Sequence, residues 1–198
     1  MDDAPPTITM IAGPNGSGKT RLSNSLISSG LISPDTYINP DHIARSRYGD
    51  WDSAQARQKA IAHAAGLIKA NLKSKTSFAL ETVLSPSGVA LLNRARRYGF
   101  VSHLYFIGTD DPSINIARVA ARTRAGGHDI PEATIVRRYY EAIDTLPAAI
   151  TAADFAIVYD NSKDDHVMTR LFHTEHGHLT EQATSTLPLW VTNVVRTL

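Results

Sequence analysis

The chain of 198 residues contains no cysteine. This absence excludes a disulfide framework, a thiolate zinc site and a cysteine nucleophile, and it is consistent with a reducing compartment. Long apolar runs are also missing: no stretch is long enough to span a bilayer, and the N-terminal segment begins with two acidic residues, unlike a signal peptide. We therefore expect a cytoplasmic protein without a membrane partner.

A large excess of charge of one sign is a third absence. Lys and Arg together number 20 and Asp and Glu together number 19, which gives a formal net charge of +1. A strongly basic face for nucleic acid is therefore not indicated, although a few converging arginines could still bind a small anion. The length and a hydrophobic content of 42% fit one compact domain, which we expect to span residues 1–198.

Short β-prone segments alternate with helical segments along most of the chain. The predicted strands are Thr7–Ala12, Tyr37–Ile38, Phe78–Leu80, Ser102–Gly108 and Phe155–Tyr159. Strands separated by helices pair in parallel, so this order predicts an α/β fold with a parallel five-stranded sheet flanked by helices. A hairpin over Val167–Gln182, turning near Gly177, and a short helix over Leu189–Val195 are predicted to follow this sheet.

Apolar residues at helical spacing predict the segments between these strands to be helices. The predicted helices run from Gly18 to Gly30 and over Ser53–Lys73, Ser87–Tyr98, Pro112–Arg124 and Pro131–Leu146, with a loop before Ser53. In the longest one, the residues predicted to face inward are Ile61, Ala65, Leu67, Ile68 and Leu72.

A phosphate-binding sequence follows the first predicted strand and opens the first predicted helix. It reads Gly13-Pro14-Asn15-Gly16-Ser17-Gly18-Lys19-Thr20 and fits the pattern G-x-x-x-x-G-K-[ST] without a mismatch. The glycines let successive backbone N–H groups point into one concavity, to which the helix adds its positive end. Lys19 is predicted to reach the β- and γ-phosphates and Thr20 to ligate Mg²⁺, which makes ATP and Mg²⁺ the expected cofactors.

Two carboxylates follow predicted strands at the edge where ligands of parallel sheets bind. Asp41 is placed to accept the proton of an acceptor hydroxyl, and its alternative role is to cap a helix beginning at His42. Glu81 could hold Mg²⁺ through water or accept a hydrogen bond from a substrate hydroxyl, and its alternative is a solvated acid at a strand end.

Five segments together resemble the zeta toxin family of P-loop kinases. They read IAGPNGSGKT, NPDHIAR, FALETVLS, RVAARTRAGGHDIPEATIVRRYYEAI and VYDNS, and the resemblance runs from about Thr7 to about Ser162. It implies an ATP-dependent kinase that phosphorylates UDP-N-acetylglucosamine on a sugar hydroxyl and that a small antitoxin protein holds inactive.

The resemblance also implies roles for single residues. Asp41 matches the catalytic aspartate of the family, and Glu81 matches the acid that contacts the substrate sugar. The family usually carries a small hydroxyl residue two positions after this acid, where this chain has Val83. The neighbouring Thr82 and Ser85 are therefore the candidate substrate contacts. A further carboxylate of the family has no counterpart in the segment AIAHAAGLI.

Arginines cluster around a glycine pair, where kinases of this shape carry a helical lid over the transferring phosphoryl group. The cluster comprises Arg118, Arg122, Arg124, Arg137 and Arg138, with His128 beside Gly126-Gly127. Arginine supplies planar, bidentate charge stabilisation, and adjacent Arg137 and Arg138 cannot both face inward. Arg118, Arg122 and Arg137 are the predicted catalytic arginines. The alternative is a solvated basic face paired with Glu132 and Glu141.

Two other polar groups have simpler alternatives. Asn161 follows the fifth predicted strand, where small-molecule kinases seat adenine, and its amide could bind the base or only form a turn. His173, His176 and His178 are spaced as at a hairpin tip, so a solvated turn is favoured over a metal site.

The expected function is therefore transfer of the γ-phosphoryl group of ATP to a hydroxyl, with a UDP-N-acetyl sugar as substrate. Two alternatives stay open at this point. One is a P-loop kinase of another metabolite or of an antibiotic. The other is a regulatory ATP-binding module without phosphotransfer, whose output is partner binding.

Overall fold

The computed structural model describes residues 4–49, 53–127, 129–163, 167–184 and 186–198. The strands in this part of the chain are β1 (Thr7–Ala12), β2 (Tyr37–Ile38), β3 (Phe78–Thr82), β4 (Val101–Gly108), β5 (Phe155–Asp160), β6 (Thr169–Glu175) and β7 (His178–Gln182). The helices are α1 (Lys19–Ser28), α2 (Pro40–Arg47), α3 (Ala54–Ser74), α4 (Pro86–Arg97), α5 (Pro112–Arg124), α6 (Glu132–Ala152) and α7 (Leu189–Val195). The α/β prediction is confirmed.

The described strands form one sheet in the order β2-β3-β1-β4-β5-β6-β7. The first five strands of this order pair in parallel, as predicted, whereas β6 lies antiparallel to β5 and β7 antiparallel to β6. The prediction of five strands is corrected, because the C-terminal hairpin joins the same sheet and makes it seven-stranded over the described residues. Strand β6 of this hairpin pairs with the backbone N–H and C=O groups at the edge of β5. Its residues Leu171 and Phe172 are buried in the core.

The core lies on both faces of the sheet, because central parallel strands are covered on both sides. On one face α1 packs Leu22 and Leu26 against Ile11 and Ile107. The larger core on the other face contains Phe106, Phe172 and Leu104. None of the described helices is both long enough and apolar enough to cross a membrane.

Helix α3 buries only part of the predicted face. Leu72 is buried and Ile68 packs against the core, as predicted. Ile61, Ala65 and Leu67 are exposed instead. The other buried residues of the helix are Ala56, Ala60 and Ala64, four apart. Small side chains at this spacing allow a close approach of a neighbouring helix, and α3 packs against α2. Helix α2 itself begins at Pro40, two residues before the helix that the sequence analysis considered as an alternative, and it replaces much of the loop predicted before Ser53.

The C-terminal helix α7 returns to the centre of the sheet. The ring of Trp190 lies over Gly108 at the end of β4, so closely that any side chain at residue 108 would collide with it. Its indole Nε1 donates a hydrogen bond to Asp160 at the end of β5, at 3.1 Å. This contact places α7 beside the strand ends that carry the polar loops.

Candidate active site

The phosphate-binding sequence forms a tight loop between β1 and α1. Gly13 and Gly18 have φ angles of 147° and 106°, which residues with side chains rarely adopt. A Cβ on Gly16 would lie 2.7 Å from the carbonyl oxygen of Asn115, so α5 presses directly on the loop. Three glycines are thus required for conformation or for contact, as the sequence pattern indicates.

Two buried amides hold the loop from behind. Asn115 Nδ2 donates to the carbonyl oxygen of Asn15 at 2.6 Å, and Asn161 Nδ2 donates to that of Ser17 at 2.8 Å. The hydroxyl of Thr109 donates to Asn115 Oδ1 and thereby fixes that amide. Asn115 was not predicted, since nothing in its sequence context marks it. The amide of Asn161 is committed to the loop, and its contact with adenine stays a prediction.

Lys19 is buried at the start of α1, and its Nζ donates to the carbonyl oxygen of Pro14 at 2.7 Å. Burial lowers the pKa of Lys19 to about 8, against the opposing effect of the Glu81 and Asp41 carboxylates. The ammonium group is thus poorly compensated by the protein alone. Phosphate oxygens in the loop would supply the missing negative charge.

The pH dependence of ATP binding should report this pKa. Phosphate bound beside Lys19 raises its pKa, so binding above pH 8 requires uptake of a proton and weakens as the pH rises. We expect the Kd for ATP to rise by up to about tenfold per pH unit above this pKa. Calorimetry in two buffers of different ionisation enthalpy at pH 8.5 measures the uptake. Lys19→Arg is the control, because its guanidinium stays charged; proton uptake that persists in this variant would contradict the assignment.

Glu81 lies at the end of β3, facing the start of α1. Its carboxylate accepts hydrogen bonds from Thr20 Oγ1 at 2.9 Å, Ser23 Oγ at 3.1 Å and the Tyr37 hydroxyl at 2.7 Å. A hydroxyl that donates its proton to a carboxylate keeps its lone pairs for a cation, and Mg²⁺ prefers such oxygen ligands. The arrangement therefore fits a magnesium site that Thr20 and nucleotide phosphates would complete. No cluster of three or more His, Asp or Glu residues able to hold a metal occurs among the described residues.

Asp41 is exposed at the second residue of α2, in the same cleft as Lys19. The cap of this helix is Asn39, whose Oδ1 accepts from the backbone N–H groups of Asp41 at 2.9 Å and His42 at 3.4 Å. The alternative that Asp41 caps the helix is therefore wrong. Its carboxylate is left to face the cleft, close enough to Lys19 to raise the pKa of that ammonium.

The adjacent arginines of α6 point in different directions. Arg138 Nη1 donates to Asn15 Oδ1 of the phosphate loop at 3.2 Å. Arg137 pairs instead with Glu141 at 3.3 Å and has a side chain that is 65% exposed. Of the two, Arg138 therefore occupies the place that the sequence analysis gave to Arg137, and the alternative of a solvated ion pair fits Arg137.

Two of the three arginines of α5, Arg118 and Arg122, also differ. Arg118 donates to the carbonyl oxygens of Asn161 at 2.6 Å and Lys163 at 3.2 Å, so it ties α5 to the loop after β5. The charge of Arg122 lowers the pKa of Lys19, as does that of Arg138, which places both guanidinium groups near the loop. His128 of the predicted cluster lies outside the described residues.

These residues surround one cleft of about 1030 Å³ at the carboxyl ends of the parallel strands. The predicted site residues that line it are Asn15, Gly16, Gly18, Lys19, Thr20, Asp41, Glu81, Thr82, Ser85, Arg118, Arg122 and Arg137. Gly13, Pro14 and Ser17 are buried residues of the loop itself, and Asn161 is buried behind the loop. His176 lies in the β6–β7 turn and His178 begins β7, as expected, whereas His173 lies within β6 and stacks on Phe155. Asp111 caps α5 by accepting a hydrogen bond from the backbone N–H of Ser113.

The sequence model of the zeta toxin family matches residues 1–176. The chain belongs to the zeta toxin family. This zeta toxin family member is 35% identical over 134 residues to an uncharacterized protein of Haemophilus influenzae. The aligned region covers 64% of this chain and 88% of the relative. The family match ends in the turn between β6 and β7, so α7 lies beyond it.

Solved structures show the same fold. The complex of AvrRxo1-ORF1 with AvrRxo1-ORF2, solved with sulphate ions, has a TM-score of 0.69 at 18% identity and covers 90% of this chain. The chain spans only 61% of the length of that neighbour. The PezAT toxin–antitoxin system of Streptococcus pneumoniae has a TM-score of 0.65 at 14% identity and covers 99% of this chain and 79% of its own. At such identities the likeness shows the fold alone, which is that of the P-loop kinases.

Proposed function

We propose that the protein is an ATP- and Mg²⁺-dependent kinase that transfers the γ-phosphoryl group to a hydroxyl of a small molecule. The observation that carries this proposal is the presence of Lys19 and Asp41 in one cleft, with Asp41 relieved of capping by Asn39. A phosphate loop alone would serve a switch as well as a kinase. A carboxylate beside the phosphate site that is not used to cap its own helix favours transfer.

In the proposed mechanism, separate residues act on the phosphates of ATP, on the metal and on the acceptor hydroxyl. The backbone N–H groups of the loop and Lys19 bind the β- and γ-phosphates, and Thr20 with Glu81 would hold Mg²⁺, which neutralises phosphate charge. Arg122 and Arg138 approach the transferring phosphoryl group and stabilise its charge in the transition state. Asp41 accepts the proton of the attacking hydroxyl as the new P–O bond forms and the bond to ADP breaks.

The acceptor is proposed to be a nucleotide sugar of the UDP-N-acetyl class. Membership of the zeta toxin family supports this choice. The cleft is at the upper end of the usual volume of ligand pockets, about 300–1,000 Å³, and its lining includes the hydroxyl-bearing residues Thr82, Ser85 and Ser87. Val83 also lines the cleft and would contact apolar parts of the acceptor.

A small inhibitory protein is the proposed partner. The neighbours with the same fold include the PezAT toxin–antitoxin system and AvrRxo1-ORF1 in complex with AvrRxo1-ORF2. A protein that phosphorylates a common metabolite would need such control in the cell that makes it. The partner is expected to act by covering the cleft or the phosphate loop.

The direct test is incubation of the protein with ATP, Mg²⁺ and either UDP-N-acetylglucosamine or a bacterial metabolite extract, followed by mass spectrometry. The expected result is a phosphate added to the nucleotide sugar, absent with Lys19→Met. Phosphate on a different metabolite would retain the kinase and change its substrate. ATP hydrolysis without any phosphorylated product would contradict the kinase and favour the regulatory module.

The arginine assignment makes a separate prediction. Arg138→Ala should lower kcat on the order of 10²-fold, because it removes a charge that approaches the transferring group. Arg137→Ala is the matched control, since it deletes the same side chain one residue away and breaks an ion pair with Glu141 at the exposed wall of the cleft, without a contact to the phosphate loop. Steady-state kinetics of both variants decide the question. A larger loss in Arg137→Ala than in Arg138→Ala would restore the original prediction.

A further inference from the structure

Three hydroxyl groups fix the orientation of the Glu81 carboxylate at the end of β3. Its two carboxylate oxygens are divided between the phosphate-loop hydroxyl of Thr20, on Oε1, and the hydroxyls of Ser23 and Tyr37, on Oε2. The contact at 2.7 Å from Tyr37 is the shortest of the three. Rotation of the carboxylate would therefore break the Tyr37 contact together with the Thr20 contact.

Tyr37 is itself fixed by the residues that follow it. Its hydroxyl accepts a hydrogen bond from Nδ2 of buried Asn39 at 3.2 Å, and its ring meets the edge of His42 with centroids 5.9 Å apart. Asn39 uses its other side-chain atom, Oδ1, to cap the helix that carries Asp41. One short segment thus connects the cap of α2 to the carboxylate beside the phosphate loop.

The chemical state of Tyr37 suits this arrangement. Burial, and next the negative charge of Glu81, raise the pKa of Tyr37 well above its usual range. The phenol is therefore protonated at neutral pH and donates that proton to Glu81.

We infer that Tyr37 is a positioning residue for the divalent cation that accompanies ATP. Its hydroxyl, oriented by Asn39, locks the Glu81 carboxylate so that Thr20 gives its proton to Glu81 and its lone pairs to the metal. Replacing a residue that orients a metal ligand commonly lowers metal affinity or activity by roughly 10- to 100-fold. This inference rests on the proposed binding of Mg²⁺ with ATP, and it adds a residue outside the family motif.

The test compares equilibrium binding of ATP with and without metal. Wild-type protein and Tyr37→Phe are titrated with ATP in EDTA and in Mg²⁺, and Mn²⁺ binding to the protein–ATP complex is followed by electron paramagnetic resonance. Tyr37→Phe is expected to bind ATP in EDTA as tightly as the wild type does. The increase in ATP affinity that Mg²⁺ causes should be about tenfold smaller in this variant. Tyr105→Phe is the matched control, because Tyr105 packs against the same apolar cluster as Tyr37 but lies on β4.

A second variant protects the test against a folding defect. Asn39→Asp keeps a side-chain oxygen to cap α2 but replaces the amide that donates to Tyr37, and it should reduce the Mg²⁺-dependent gain in the same way. The inference is overturned if Mg²⁺ increases the ATP affinity of both variants as much as that of the wild type. It is also overturned if a variant loses the same factor of ATP affinity in EDTA and in Mg²⁺. If wild-type protein binds Mg²⁺ with ATP but phosphorylates nothing, the proposed kinase activity fails while the inference about Tyr37 stands.

Discussion

Replacing Lys19 with alanine or methionine is expected to abolish phosphoryl transfer and to weaken ATP binding strongly. The reason is that this buried ammonium lies at the start of α1, where the β- and γ-phosphates are held in phosphate loops of this pattern. Turnover measured by coupled ADP release and ATP affinity measured by calorimetry should both be lost. Wild-type turnover in either variant would overturn the assignment of the phosphate site.

The melting temperature of Lys19→Met should show whether its loss of activity comes from the missing charge or from a folding defect. Burial lowers the pKa of Lys19 to about 8, so the ammonium is still mostly charged at neutral pH but its burial costs stability in the folded protein. Lys19→Met removes this buried charge, and its melting temperature without nucleotide should be at least that of the wild type. Addition of ATP and Mg²⁺ should no longer raise it. Lys69→Ala, an exposed change on α3, should respond to nucleotide as the wild type does.

Neutralising Asp41 is expected to separate chemistry from binding. A general base acts on the acceptor hydroxyl, so Asp41→Asn should leave the affinity for ATP nearly intact while turnover falls by about 10²–10⁴-fold. Because Asn39 is the cap of α2, the melting temperature of Asp41→Asn should be close to that of the wild type. A stable variant with full turnover would leave the enzyme without a base.

Two controls sharpen the Asp41 experiment. Asp35→Asn neutralises an exposed carboxylate a few residues earlier, outside the cleft, and should change neither turnover nor stability. Asn39→Ala should instead cost about 1 kcal/mol of stability through loss of the cap. If expression of the wild type harms bacterial growth, as the family membership suggests, Asp41→Asn should be harmless at an equal soluble level.

Much of the fold and of the phosphate loop could be predicted because those features are local. The loop is defined by eight consecutive residues, and its glycines are needed for backbone conformation or for direct contact in the structure. Strands β1, β2, β4 and β5 were found at or within one residue of their predicted bounds, since short apolar β-prone runs between polar turns mark buried parallel strands.

The supporting residues could not be predicted, because their roles arise only when distant segments meet. Asn115 reaches the phosphate loop across 100 positions of sequence, and Tyr37 reaches Glu81 across 44. The choice between Arg137 and Arg138 depended on the rotation of α6 about its axis, which the sequence constrains only to within one residue. The exposed position of Ile61 shows the same limit on α3.

The contact of Trp190 with Gly108 has a consequence for where the folding unit ends. The family match stops at residue 176, yet the surface at the end of β4 is shaped for a ring supplied fourteen residues beyond that point. A chain shortened to the matched segment would leave Gly108 and Phe106 open to water and would deprive Asp160 of the indole donor. The segment that matches the family model is therefore shorter than the segment that packs into one core, because Val191 and Val194 of α7 are buried in that core.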